Sequence, residues 1–263
     1  MKTLLFLVIS FLASIIGAIC GIGGGIIIKP VLDFFEVASV STISFLSGCT
    51  VLSMSCYSVV KNFSSGDSTV DIRTGIPLSA GAVLGGIIGK QLFSAVKAMF
   101  SNPNTVGAVQ ALFLALLTVG TLIYTLCKSK IKTKKIDSFP LCLVIGFALG
   151  LLSSFLGIGG GPFNLVILFF FFSMDSKTAA QNSLFIILFS QAASIITTLL
   201  THSVPEFEWL ALIFMVAGGI CGGMVGRKIN KKLDNAAVDK LFITLMALVI
   251  MICVYNMSHY ARL

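Results

Sequence analysis

Apolar runs long enough to cross a lipid bilayer follow one another along nearly all of this 263-residue sequence. About 20 predominantly apolar residues in a helix span a hydrocarbon core roughly 30 Å thick. Runs of that kind fall at about 40–60, 74–93 and 106–127, and again at 178–200, 208–226 and 240–258. Two further runs are each broken by Gly-Ile-Gly-Gly-Gly: Leu4–Cys20 then Ile26–Phe35, and Phe139–Leu156 then Phe163–Ser173. The pieces after the glycines reach only about 15 Å, half the hydrocarbon thickness.

Composition removes the alternatives. With 57% hydrophobic residues, 11% charged and a mean hydropathy of +1.04, the chain lacks the polar surface of a soluble domain, in which about a quarter of the residues are charged. A soluble α/β enzyme, a disordered chain and a secreted disulfide scaffold are excluded. The seven cysteines are scattered, with neither a CxxC pair nor a Cys/His cluster, so no zinc site, disulfide framework or other cofactor is indicated. The net charge of +8 does not mark a nucleic-acid partner. Ten of the 18 Lys and Arg sit in two short segments, Lys128–Lys135 and Arg227–Lys240, which is how cytoplasmic loops of membrane proteins look.

The chain reads as a duplicated half. Gly21–Gly25 recurs as Gly157–Gly161, and Gly81, Gly85 and Gly89 recur as Gly218, Gly222 and Gly226. The same register pairs Ser47 with Ser183 and Ser58 with Ser194. Several matches in order at one offset of 136–137 indicate two membrane repeats, 1–130 and 137–263. The first run resembles a signal peptide ending in Ala18-Ile19-Cys20, but its pattern recurs in mid-chain, so it is expected to be a retained helix.

Charge decides how the repeats are related. If each broken run crosses once, Lys and Arg divide nine against nine. If each turns back at its glycines, every half makes an odd number of crossings and the division becomes 13 against 5, with Lys2, Lys29, Lys90, Lys97 and Arg262 in the minority. The positive-inside bias selects the second arrangement. The expected fold is an all-α polytopic membrane protein of two inverted-topology repeats, each a Gly-broken helix or re-entrant pair plus three full spans. It lies in the cell membrane with loops 128–138 and 227–240 cytoplasmic.

The glycine pentapeptides are the strongest candidate site. Unpaired backbone at membrane depth is tolerated only when buried in protein or lining a cavity, and glycine lets a ligand approach the main chain. The short helix that follows offers N–H groups and a positive dipole end to an anion. In an inverted repeat two such ends meet near the midplane, where transporter sites lie. Gly23, Gly24, Gly25, Gly159, Gly160 and Gly161 are therefore the expected substrate-binding backbone. Ser47, Gln181, Asn182 and Ser183, from the polar stripes of the following helices, and Asn164 just after the second turn are the expected side-chain donors. The alternative for the turns is close helix packing alone, and for the serines it is helix–helix hydrogen bonding. Gly81/85/89 and Gly218/222/226 are small-residue faces for close helix approach. No Asp, Glu, Lys or Arg falls in the middle of a full span, and Lys29, Asp33, Glu36 and Asp175 are expected near helix ends. No carboxylate relay and no catalytic motif is visible, so an enzyme is not indicated. The lipid bilayer is the surrounding partner. A coupling proton or sodium ion and the oligomeric state are left open.

In these features the sequence resembles the TauE/SafE family of sulfite exporters, also called the toluene sulfonate uptake permease family. The resemblance covers nearly the whole chain. It rests on GIGGG-IIIKPVL (21–32), GIGGG-PFNLVIL (157–168) and TAAQNSLFIILFSQ (178–191), and on the Gly-x-x-x-Gly helices. Gln181-Asn182 replaces the family's usual Gly-Thr before Ser183-Leu184, and the first half reads Leu46-Ser47-Gly48. The resemblance implies an inner-membrane permease for sulfite, sulfonates or related small organic anions. Three functions are weighed: a secondary anion transporter working by alternating access, a passive anion channel, and a non-transporting scaffold or sensor. The first is favoured, and the third is disfavoured because a helix break in lipid is costly without a use; saturable flux driven by an ion gradient separates the first from the second.

Overall fold

The computed structural model describes residues 2–99 and 103–260. Among them there is no strand. Ten α-helices follow in order: α1 Lys2–Cys20, α2 Gly25–Phe34, α3 Val40–Ser64, α4 Ile72–Met99, α5 Pro103–Cys127, α6 Phe139–Leu156, α7 Pro162–Phe172, α8 Ser176–Leu200, α9 Trp209–Lys232 and α10 Asn235–Tyr260. Seven of these are long and apolar enough to cross a membrane: α3, α4, α5, α6, α8, α9 and α10. Local signals set their ends. Ser39 Oγ accepts from Thr42 N at the start of α3, and the carboxylate of Asp175, its counterpart in the second half, accepts from Thr178 N at the start of α8. Prolines open α5 and α7, where a missing N–H costs nothing. Both broken runs divide as expected, into α1 and α2 and into α6 and α7.

The chain reverses at both glycine segments. Gly24, the N-cap of α2, lies against Ala13 and Ser14, two turns back along α1: a Cβ there would stand 3.2 Å from Ser14 Oγ. Phe6 of α1 and Val37 and Ala38 just after α2 line one cavity, so α2 returns to the end from which α1 set out. The second run does the same. Lys134 N donates to Phe170 O at 2.7 Å and Ile136 N to Phe171 O at 3.0 Å, which places the end of α7 beside the segment leading into α6.

The helices pack in pairs: α1 along α9, α4 along α6, α5 with α10 and α3 with α8. Glycine makes the first two pairs close. Gly81, Gly85 and Gly89 of α4 face the carbonyls of Leu143, Phe147 and Leu151 on α6, and Gly218, Gly222 and Gly226 of α9 face those of Leu7, Phe11 and Ile15 on α1. A side chain at these positions would meet backbone, which cannot step aside. The Gly-x-x-x-Gly faces are packing surfaces, as expected.

The basic segments gather at one end of the bundle. Lys128 pairs with Asp239 at 2.5 Å, Lys177 Nζ donates to Leu233 O at 3.0 Å, and Arg227 Nε donates to Asn62 Oδ1 at 2.6 Å. Hydrogen bonds from Lys231 and Ser65, with Arg227 nearby, hold the Asp67 carboxyl below its usual range. The opposite end carries Thr42 bonded to Glu206 O and the Glu36–His259 pair. Two expectations need correcting. Positions 227–232 are not loop but the last turns of α9, because an amphipathic basic helix end can protrude beyond the apolar layer without losing its backbone hydrogen bonds. Lys29 and Lys90 are not loop residues either: Lys29 is buried on α2, and Lys90 lies within α4. Removing both from the loop count leaves the basic end still more dominant.

Candidate functional site

The two glycine segments meet inside the bundle. In each, the first two glycines hold left-handed backbone: Gly21 (φ +73°) and Gly23 (+69°), Gly157 (+65°) and Gly159 (+73°). A residue with a Cβ would lose about 1–2 kcal/mol at each. The other glycines are needed for approach instead. A Cβ on Gly25 would overlap the Ile158 carbonyl oxygen, and one on Gly160 would stand 3.0 Å from that of Ile22, besides colliding with the flexible end of Ile187. Ile22 and Ile158 are themselves counterparts in the duplicated halves, and neither is exposed. Each turn therefore seats the other. Val51 and Ile187 fill the angle between them, near Gly23, Gly159 and Gly160.

Around these turns the structure collects polar groups that the protein itself does not satisfy. Ser47 Oγ stands 3.1 Å from where a Gly25 Cβ would be, is fully buried and has no hydrogen-bond partner. Asn164, in the first turn of α7, donates to Ser183 Oγ at 3.4 Å and leaves its Oδ1 buried without a partner. Ser14, Ser44 and Ser154 are likewise unpartnered, with Ser44 Oγ against Gly157. The N-caps of α2 and α7, Gly24 and Gly161, make no side-chain cap, so the first N–H groups of both helices lack that partner. A buried polar group left unpaired costs about 1–3 kcal/mol. Hydroxyl and N–H donors converging on two helix N-termini suit a small guest that accepts several hydrogen bonds, as an oxyanion does.

Gln181 and Asn182 are engaged by the α3–α4 connection. Gln181 Oε1 accepts from Thr69 N at 3.0 Å, and Asn182 Oδ1 accepts from Asp71 N while its amide donates to Thr69 O and Thr178 O. Both hold the α3–α4 connection at the basic end. The structure thus brings the six glycines together with Ser47, Asn164 and Ser183, and gives Gln181 and Asn182 to another segment.

Two cavities flank the turns. The larger, about 370 Å³, lies at the basic end and is lined by Ala18, Ser58, Ala180, Gln181, Arg227 and Asn230, among others. The smaller, about 20 Å³, lies towards the other end and is lined by Ser154, Ser194, Ser44, Phe45, Lys90 and Phe93, among others. Advanced or set back by 136–137 positions, each residue of one set becomes the residue in the same place of the other. The cavities are equivalents, one open and one shut to about a water molecule. The shut one has Phe45 and Phe93 where the open one has Gln181 and Asn230. Both carry a cation at the same helix position, Lys90 on α4 and Arg227 on α9, and the open one adds Lys177 and Lys231. Lys90 Nζ lies 5.4 Å from the Phe93 ring centroid.

Spacing along the chain does not assemble these cavity linings, and it leaves Lys29 near a helix end. Its Nζ donates to the Leu156 carbonyl at 2.7 Å and to Gln110 Oε1, and lies 3.6 Å from where a Gly157 Cβ would stand. One signal was available: Lys29 interrupts an apolar ten-residue helix whose counterpart, α7, has Leu165 there.

The sulfite exporter TauE/SafE family model matches residues 6–252. The chain belongs to that family. Two proteins of Bacillus subtilis (strain 168) resemble it over nearly their whole length. The "Probable membrane transporter protein YunE" is 25% identical over 262 residues, covering 90% of this chain and 92% of the relative. The "Probable membrane transporter protein YdhB" is 22% identical over 246 residues, covering 92% and 96%. No solved structure matches. As a family member with seven helices able to span a bilayer, the chain is a multi-pass protein of the cell membrane.

Proposed function

We propose that this family member is a secondary transporter of a small anion, sulfite or a sulfonate or a related organic anion, that works by alternating access around the paired glycine turns and catalyses no chemical reaction. The observation that carries the reading is the pair of equivalent cavities, one of about 370 Å³ and one of about 20 Å³, on either side of the turns. Alternating access requires two pathways to one site that are never open together. A passive channel would need both open at once, and a scaffold would need neither. The unpartnered Ser44, Ser47 and Asn164 atoms support an anion at the turns. The family name, which speaks of sulfite, supports the substrate class.

The domain reading is that residues 1–130 and 137–263 are inverted repeats. The reversal at both glycine segments supports it, as does the helix pairing, which is unchanged when the two halves are exchanged: α1 on α9 becomes α6 on α4. The basic end is assigned to the cytoplasm by the positive-inside bias. In a cysteine-free background, single cysteines placed at 132 and at 232 are expected to be shielded together from an impermeant reagent in intact cells and labelled together in inverted vesicles. Labelling of one without the other from either side would reject the inverted arrangement.

The function is tested with purified protein in liposomes offered sulfite, sulfate, thiosulfate, sulfoacetate and methanesulfonate. Saturable uptake of at least one, accelerated by the same anion on the far side, is the expected result. Flux that rises without saturation would make the protein a channel, and absence of any flux would leave a scaffold.

A further inference from the structure

Lys29, Asp33 and Glu36 lie at i, i+4 and i+7 along α2 and the turn that ends it, the spacing of one helical face. Their burial is graded. Lys29 is 3% exposed, Asp33 is half-buried with its Oδ1 buried and unpartnered, and Glu36 is exposed at the bundle end, paired with His259 Nδ1 at 3.1 Å. Lys29 and Asp33 line one small cavity between α2, α5 and α10. Packing does not require these charges. At the equivalent places the second half carries Leu165, Phe169 and Phe172, and there the end of α1 does without the lysine that Leu156 O receives at the end of α6. Charge kept at membrane depth on one side of a duplicated fold, with an apolar solution available on the other, points to a use.

We propose that Lys29 is the proton-binding site that couples anion movement to a proton gradient, and that Asp33 and Glu36 carry the proton between Lys29 and the bundle end opposite the basic segments. The inference deepens the transport reading and rests on it. An anion seated at the glycine turns lies close to Lys29 Nζ, so it favours the ammonium over the amine. By reciprocity, the proton on Lys29 strengthens anion binding, and the two travel together. When the anion has left, an Nζ–H proton passes to the Asp33 carboxylate, leaving a neutral amine and a neutral acid. That acid passes the proton to the Glu36 carboxylate, from which it reaches water at the end opposite the basic segments. In the state open to the basic end Lys29 takes its proton, together with the anion, from water entering by the cavity there, so that one cycle carries both across and the reverse cycle returns both. The other groups facing Lys29 are the Cys253 thiol of α10 and the Gln110 amide of α5, with Lys90 of α4 adding a like charge. A resident lysine disfavours a sodium ion in the same place by repulsion, which selects the proton as the coupling ion.

The test uses whichever of sulfate, thiosulfate and methanesulfonate the liposome assay shows to be carried, since these stay ionised across the neutral range. Two readouts are followed. In weakly buffered detergent solution, anion binding to the wild-type protein should draw a proton from the medium. In liposomes, a gradient of one pH unit should drive about tenfold accumulation for one proton per monovalent anion, because a factor of ten is about 1.4 kcal/mol. Lys29→Met should bind the anion more weakly, draw no proton and equilibrate labelled anion to a ratio near one. Lys29→Arg keeps the cation and the helix-end bond but does not release its proton, so it should exchange anion without accumulating it even if the methionine variant folds poorly. Asp33→Asn should slow gradient-driven uptake about tenfold relative to ungraded exchange, a cost in barrier of about 1.4 kcal/mol. Wild-type accumulation that ignores pH, or unchanged proton uptake in both Lys29 variants, would overturn the proposal alone. Failure of the wild type to carry any of the anions would overturn the transport reading and this one with it.

Discussion

Gly25→Ala should abolish transport and lower the yield of folded protein, the largest single-residue effect expected in this chain. Its Cβ would overlap the Ile158 carbonyl oxygen and stand 3.1 Å from Ser47 Oγ. The first obstacle is backbone in the opposite turn, so relief requires the two turns to separate. Overpacking a well-filled interior costs about 1–3 kcal/mol and sometimes more. Here the strained contact is the proposed seat of the anion, so anion affinity should fall by tenfold or beyond, about 1.4 kcal/mol for each factor of ten. Gly160→Ala should follow in severity, because its nearest obstacle is the flexible end of Ile187. Gly24→Ala should be the mildest of the three: its φ is −68°, and its closest neighbours stand 3.2–3.3 Å away. Gly120→Ala is the control, in a helix with nothing within 4 Å of the added carbon, and should stabilise by up to about 1 kcal/mol. Equilibrium anion binding and thermal melting in detergent, read together, check the order. A Gly25→Ala protein that binds and melts like the wild type would mean that the turns do not seat one another.

The second large effect is expected at the shut cavity. Phe45 and Phe93 are 8% and 5% exposed, and they stand where the open cavity has Gln181 and Asn230. Phe45→Ala with Phe93→Ala should turn a space that admits about one water into a wet pathway. A cysteine at position 194, which lines that cavity, should then react with a polar thiol reagent from the end opposite the basic segments at least tenfold faster, a barrier lowered by about 1.4 kcal/mol. The double variant should also melt lower, since truncating a buried Phe costs about 3–5 kcal/mol. The mirror substitution, Asn230→Phe, should narrow the open cavity and slow transport from the basic end. Unchanged reactivity at position 194 in the double variant would mean that something other than the two rings closes this side.

Gln181 and Asn182 show what spacing along the chain leaves undecided. Both stand just before Ser183, which opens the stripe that continues with Ser190 and Ser194, yet they bond to the α3–α4 connection while Ser183 meets Asn164. Asn182 and Ser183 differ by only about 1.5 Å in rise but by about 100° around α8, so at nearly one depth they face different neighbours. Spacing sets the angle between side chains on one helix; which neighbour each angle meets depends on how the other helices pack. Lys29 shows the same limit from the other side. By sequence it lies near the end of a short apolar piece. Only the return of α2 along α1, against α5, α6 and α10, puts it in the interior.

What the sequence determined by itself were the properties that depend on near neighbours and on solvent. Long uncharged runs in lipid must close their own backbone hydrogen bonds, so they become helices, and the observed boundaries fall within a few residues of the runs. Glycine at matched positions permits left-handed backbone and close helix approach, so the breaks and the packing faces were legible, as was the gathering of basic segments. What only the tertiary structure decided was which groups share a site. The seating of Gly25 on Ile158, the exchange of Phe45 and Phe93 for Gln181 and Asn230, and the burial of Lys29 each join residues separated by tens to more than a hundred positions. No local preference encodes such a meeting. It follows from the reversal of two broken helices and the pairing of α1 with α9 and α4 with α6, which set the depth at which every polar side chain comes to rest.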